Sequence, residues 1–132
     1  YRTNIVKKRL EILKRPGSAR KRLEDFFEDL VKFSLGRGKK LGCLMSNSAI
    51  ELAPHDPDAK ELVLENLVDI ADVLCFVIEL GGDSKEFKTT EAPEDLARFL
   101  ISNVQGLRVL AKSSTNEETL RTSIRLALKV LE

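Results

Sequence analysis

The stretch from residue 41 to residue 57, LGCLMSNSAIELAPHDP, constrains the fold more than any other part of the chain. At helical spacing its apolar side chains spread around the whole circumference, and such a helix is usually buried in the middle of a bundle. Pro54 ends it, since proline inside a helix is costly. Asn47, Ser48 and Glu51 share one flank and need hydrogen-bond partners wherever they are buried. Those partners come either from neighbouring helices or from a ligand in a cavity.

The rest of the chain is also predicted to be helical. Asp56 suits an N-cap and Pro57 the first position of a long helix, which should run to about Leu80 and stop at Gly81-Gly82. No segment alternates polar and apolar residues for long enough to form a strand, so we predict an all-α fold in one domain of 132 residues. Six helices are expected, beginning near Ile5, after Ser18, near Gly42, at Pro57, at Pro93 and, from a T-x-x-E capping box, after Thr115.

The polar run DSKEFKTTE, residues 83–91, is predicted to be an exposed connection between two of these helices. It carries one aromatic residue, Phe87, which should be packed against the body of the protein.

Composition indicates a soluble, cytoplasmic globular protein. No apolar run approaches the roughly 18 residues of a membrane span, and the opening YRTNIVKKRL is too charged for a signal peptide. Residues 1–40 carry 13 Lys or Arg against 5 Asp or Glu, whereas the remainder has a net charge of −7. The basic part is either a set of solvated helix faces or a surface that attracts DNA or an acidic partner.

No pattern of residues predicts catalysis or metal binding. His55 is the only histidine and sits at a helix boundary without an evident nucleophile. Cys43 and Cys75 are far apart in sequence and read as small buried side chains. The GRGKK run at residues 36–40 lacks the rest of a phosphate-binding loop. We therefore expect no enzymatic activity, no cofactor and no metal.

The apolar face of the last two helices is wider than one neighbouring helix would cover. Because their connection is short they should form a helical hairpin, which either caps the core of its own chain or pairs with a second copy in a four-helix bundle. A glycine within the hairpin, Gly106, can mark a place where another backbone comes close. The interface residues predicted on the dimer hypothesis are Leu96, Phe99, Leu100, Asn103, Gly106, Leu107, Leu110, Leu120, Ile124 and Leu128.

Two stretches resemble the carboxy-terminal regulatory domain of the TetR family of bacterial transcriptional regulators. They are GCLMSNSAIELAPHDP and the later run LARFLISNVQGLRVLAK with its TNEETL continuation. The resemblance extends from about Ile5 to Leu131. The amino-terminal helix-turn-helix domain of that family is absent from these residues, so we expect the chain to be part of a longer protein that contacts DNA through the missing domain.

The resemblance implies a homodimer that senses a small molecule and acts as a repressor. Residues 1–15 would form the connector helix, and effector binding would shift it and thereby alter DNA binding. The alternative is a helical dimerisation or adaptor module with a fully packed interior and no ligand. On the sensing hypothesis the effector contacts Met45, Asn47, Ser48, Glu51, Phe26, Phe27, Leu30 and Phe76.

Overall fold

The computed structural model describes residues 2–36, 51–113 and 116–132. These residues form five α-helices followed by a short 3₁₀ helix, and no strand occurs among them, so the all-α prediction is confirmed. The predicted helix at residues 42–53, with Met45, Asn47 and Ser48, lies outside the described residues except at its end. The elements are α1 (Arg2–Leu13), α2 (Ala19–Leu35), α3 (Pro57–Asp83), α4 (Pro93–Lys112), α5 (Glu117–Leu128) and the 3₁₀ helix Lys129–Leu131.

Three predicted helix starts are confirmed. The Ser18 hydroxyl accepts a hydrogen bond of 3.1 Å from the Lys21 amide and caps α2. The Asp56 carboxylate accepts from the Ala59 amide at 3.3 Å and caps α3, with Pro57 in the first turn. Pro93 opens α4. Each signal depends only on residues within one turn, which is why the sequence alone revealed it.

The predicted end of α3 at Gly81-Gly82 is wrong. The helix continues through both glycines to Asp83, and the chain then folds back so that the Phe87 amide donates to the Gly81 carbonyl at 3.1 Å. The Phe87 ring is 6% exposed and lies directly against Gly81, which confirms that this ring packs on the body. Burial of the ring offsets the roughly 1 kcal/mol that a helical glycine costs relative to alanine.

The predicted capping box at Thr115 is also wrong. Asn116 is the N-cap of α5, and its side-chain oxygen accepts from the Thr119 amide at 2.8 Å. Threonine and asparagine are both good capping residues, and the predicted start was wrong by one residue.

Helix α2 forms much of the centre of the described bundle. It packs against α1, α3, α4 and α5, while α3 and α4 make the most extensive pairwise contact. Two aromatic rings of α2, Phe26 and Phe27, meet edge to face with centroids 5.3 Å apart. The buried apolar residues of α2 are Ala19, Leu23, Phe26, Phe27, Leu30 and Val31.

The loop between α3 and α4 is hydrogen-bonded to the start of α2 and to the carboxyl-terminal 3₁₀ helix. The Glu86 carboxylate accepts hydrogen bonds from the amides of Ala19 at 3.0 Å and Arg20 at 3.4 Å, so it caps α2 from outside. Burial disfavours ionisation of Glu86, but the hydrogen bonds from these amides and from the Ser84 hydroxyl lower its pKa below the ordinary value. Beyond Phe87, the Lys88 amide donates to the Leu131 carbonyl at 3.2 Å.

An ion pair joins α2 to α5. Both terminal nitrogens of Arg121 donate to the Glu28 carboxylate, one of them at 3.1 Å, and the same guanidinium also contacts Glu117. The hydrogen bonds from Arg121 lower the pKa of Glu28 below its ordinary value. Both side chains remain about 40% exposed, so solvent screens the pair.

We expect the Arg121→Gln substitution to lower the free energy of unfolding by about 0.5 kcal/mol at pH 7. Because the folded-state pKa of Glu28 is lowered, this stabilisation is complete above the ordinary value of 4.5 and is lost as the pH falls through the folded value. Urea unfolding at pH 7 and at pH 3 measures the difference. The exposed Arg125→Gln variant on the same helix serves as control and should match the wild type at both pH values. An equal loss for Arg121→Gln at pH 3 would contradict the assignment.

Candidate functional site

The residues predicted to contact an effector lie in different surroundings. Phe26, Phe27 and Leu30 are at most 2% exposed and belong to the core around α2. Phe76, in contrast, is 58% exposed on the outer side of α3. Glu51 is exposed at the start of the turn that leads to α3, and His55 is exposed in the same turn. Phe26, Phe27 and Leu30 therefore lie together in the core, whereas Phe76 is on the surface of α3.

The predicted interface residues divide into two groups. Leu96, Leu100, Leu107, Leu120 and Leu128 are at most 4% exposed and pack inside this chain. Phe99, Asn103, Gly106 and Leu110 instead follow one another at helical spacing on a flank of α4 next to the buried stripe, and we call them the α4 outer face. Phe99 is 42% and Leu110 39% exposed there. Ile124 of α5 is half-buried.

The middle of the α4 outer face is a shallow gap. A Cβ atom added at Gly106 would meet nothing within 4 Å. The Asn103 side chain donates to the Phe99 carbonyl at 2.9 Å, so its amide nitrogen is satisfied within α4. The face thus offers two exposed apolar side chains and a stretch of accessible backbone between them.

Two guanidinium groups flank the ring of Phe33 on α2. The Arg9 Cζ atom of α1 lies 5.0 Å from the ring centroid and the Arg108 Cζ atom of α4 lies 5.2 Å from it. Arg9 Nε also donates to Asp29 at 3.1 Å. Each cation over an aromatic face contributes about 0.5 to 2 kcal/mol, depending on solvent exposure. Phe33 therefore links the first, second and fourth helices.

Arg108 differs from Arg9 in its hydrogen bonding. Its Nε and Nη1 atoms are buried and have no hydrogen-bond partner in the described part of the chain. A buried donor without a partner costs about 1 to 3 kcal/mol, and more when it is charged. Sequence reasoning missed this group, because a single arginine within an apolar helix more often extends its head into water.

One cluster of potential metal ligands joins α3 to α4. Atoms of Cys75, Glu79 and Glu94 lie within 4.8 Å of one another, although both carboxylates are exposed. Burial, and then the hydrogen bond and charge of Glu79, raise the pKa of the Cys75 thiol to about 11. The thiol is therefore protonated at neutral pH, whereas a metal needs the thiolate.

An open groove of about 430 Å³ runs along the first half of α3. All its lining residues belong to that one helix, so it is too shallow to enclose a small molecule as a formed pocket does. It is lined by Pro57, Lys60, Glu61, Leu64, Glu65, Val68 and Asp69. Within the residues that the structure describes, no helix has both the length and the apolar character needed to cross a membrane.

The described residues form an all-helical bundle that leaves large apolar side chains exposed on α4. The chain belongs to the family described as "Tetracyclin repressor-like, C-terminal domain", whose model matches residues 19–127. The predicted resemblance to the carboxy-terminal domain of TetR-type regulators is therefore confirmed.

A curated relative agrees with this assignment. The chain is 26% identical over 124 residues to YezE, an uncharacterized HTH-type transcriptional regulator of Bacillus subtilis (strain 168). The matched region covers 93% of this chain but only 64% of that relative, so the chain spans less than two-thirds of its length. No solved structure matches the chain.

Proposed function

We propose that this chain is the effector-binding and dimerisation domain of a TetR-type transcriptional repressor. The observation that carries the proposal is the family match across residues 19–127, which includes four of the five described α-helices. A helix-turn-helix domain elsewhere in the protein would bind DNA, and α1 would connect it to the bundle. Helix α1 packs on both α2 and α3, so a change in the bundle can reach it through direct contacts.

The dimer would form through the α4 outer face. Phe99 and Leu110 are large apolar side chains that the chain's own core leaves exposed, and Gly106 lets another backbone approach between them. A two-fold axis would bring the same face of a second copy against this one. The buried residues of the predicted set, such as Leu100 and Leu107, would support this interface from behind.

The effector would bind beside residues 42–53. Asn47, Ser48 and Glu51 would supply polar contacts, with Met45 and the apolar residues of α2 as the walls. Asn47 can both donate and accept hydrogen bonds, and Glu51 would favour a cationic or hydroxylated part of the ligand. Phe76 would contribute only where a partner or a movement of the chain covers it.

A thermal-shift screen of small molecules tests the effector hypothesis. We expect at least one compound to stabilise the wild type by about 2.7 kcal/mol at a hundredfold excess over its Kd, and to stabilise Asn47→Ala clearly less. Asn66→Ala is the matched control, because the Asn66 side chain bonds the Leu62 carbonyl of its own helix at 2.8 Å. Equal shifts in all three proteins would exclude Asn47 from the site.

The second candidate is a ligand-free dimerisation or adaptor module. It is favoured by the tight burial of Phe26, Phe27 and Leu30, which are at most 2% exposed within this chain. A dimer that no compound in the screen stabilises would support this function over effector sensing.

A further inference from the structure

We propose that Arg108 binds the carboxylate of an organic acid between α2 and α4, beside the ring of Phe33. This inference rests on the proposed effector-sensing function and adds an acid-binding contact to the polar contacts proposed for Asn47, Ser48 and Glu51. It concerns a group that the sequence did not indicate, on the flank of α4 opposite to the α4 outer face.

The first argument is the unsatisfied hydrogen bonding of Arg108. A guanidinium remains charged at any physiological pH and carries five N–H donors. Buried polar groups in folded proteins nearly always have partners, yet Nε and Nη1 of Arg108 have none in the described part of the chain. Arg22 Nε, on the first half of α2, is also buried without a partner, but only one of its nitrogens is affected. An incoming acceptor at Arg108 would satisfy at least one of these buried donors.

The second argument is the balance of charge around Phe33. Two guanidinium groups lie about 5 Å from the ring, at 5.0 and 5.2 Å, whereas Asp29 pairs with Arg9 alone. No hydrogen bond or ion pair to a carboxylate involves Arg108 within residues 2–36, 51–113 and 116–132. A carboxylate would pair with the Arg108 guanidinium as Asp29 pairs with that of Arg9. A carboxylate fits a planar guanidinium because its two oxygens can accept parallel N–H bonds.

The surroundings also indicate what the rest of the ligand is like. Phe33 offers a partly buried aromatic surface next to the charged group. Ile101 lies about two turns before Arg108 on the same flank of α4 and packs against the core. An organic acid with an apolar body matches this combination of one cation and apolar side chains. Free phosphate would leave the apolar surface unused.

The position offers a physical route from ligand to connector helix. The Phe33 ring is contacted both by Arg9 of α1 and by Arg108 of α4. Drawing Arg108 toward a carboxylate changes its contact with the ring, and the ring is part of the surface on which α1 rests. Because this flank is turned away from the α4 outer face, the ligand would not compete with a second copy of the chain.

Matched pairs of carboxylates and their primary amides test the inference. The probes are octanoate and octanamide, benzoate and benzamide, and phenylacetate and phenylacetamide, added to the whole chain at pH 7 in thermal-shift and calorimetric titrations. We expect at least one acid to bind at least tenfold more tightly than its amide. In Arg108→Met that preference should disappear.

The control variant is Arg98→Met on the same helix, since the Arg98 side chain is 76% exposed and pairs with Asp95 in the preceding turn. It should keep the full preference for the acid. If Arg108→Met does not fold, Arg108→Lys keeps the charge but loses the planar donors, and should weaken the acid at least tenfold.

Three results would overturn the inference. The first is that the acids bind no better than their amides, and the second is that both Arg108 variants keep the preference for the acid. The third is that Arg98→Met loses as much of this preference as the Arg108 variants do. If the broader screen finds a neutral effector while every acid fails, only the carboxylate assignment falls. If no compound of any kind binds, effector sensing itself falls.

Discussion

Replacing Gly81 with alanine is expected to lower the free energy of unfolding by about 2 to 3 kcal/mol. A Cβ atom at this position would lie 2.1 Å from both Cδ2 and Cε2 of Phe87, far inside van der Waals contact. The ring cannot simply move into solvent, because it is 6% exposed and its own backbone amide is bonded to the Gly81 carbonyl. The variant must therefore displace either the ring or the loop that carries it.

The neighbouring Gly82→Ala variant is the control for this prediction. A Cβ atom there would meet nothing within 4 Å, and the residue is also in α3. Alanine should stabilise the protein by about 0.5 to 1 kcal/mol, because it loses less backbone entropy on folding than glycine does. Urea midpoints at unchanged slope would measure both effects. Changes of the same sign at the two positions would show that Phe87 does not close on Gly81.

Replacing Phe99 with lysine is expected to convert the proposed dimer to a monomer. The substitution would place a charge within the proposed contact, where burial without a partner is strongly unfavourable. Because Phe99 is already 42% exposed in the single chain, the folded monomer should lose little stability. Sedimentation equilibrium at tens of micromolar should give twice 14.8 kDa for the wild type and 14.8 kDa for the variant.

Phe76→Lys provides the matched control for the dimer prediction. It introduces the same charge at another exposed phenylalanine, 58% exposed on α3, and should leave the dimer intact. Gly106→Leu should also weaken association, because a leucine would fill the gap between Phe99 and Leu110. A monomeric wild type, or a Phe76→Lys variant that dissociates while Phe99→Lys does not, would remove the α4 outer face as the interface.

The sequence predicted best those features that are decided within one helical turn. Ser18 and Asp56 cap the helices that they were expected to cap, since a cap needs only a side-chain oxygen and the next few amides. The end of α3 was missed for the opposite reason. Two successive glycines normally end a helix. Here the loop returns the ring of Phe87 to Gly81, and this contact makes it favourable for α3 to continue through both glycines.

The candidate sites show the same limit. Helical periodicity identified an apolar stripe on α4, but it could not divide that stripe between the chain's own core and a partner. Leu100 and Leu107 are in the core, whereas Phe99 and Leu110 are exposed. Periodicity gave no sign of Arg108, because an unpaired buried cation depends on which acids are absent around it in three dimensions.

The external cap on α2 has a mechanical consequence for α1. The Ala19 and Arg20 amides are bonded to Glu86, and those of Lys21 and Arg22 to Ser18, so the first turn of α2 has no unpaired amide. These hydrogen bonds hold the first turn of α2 in place. The carboxyl end of α1 is joined to that turn through residues 14–18. The 12 residues of α1 make a lever about 18 Å long, so a tilt of about 10° at that end would swing the opposite tip by about 3 Å.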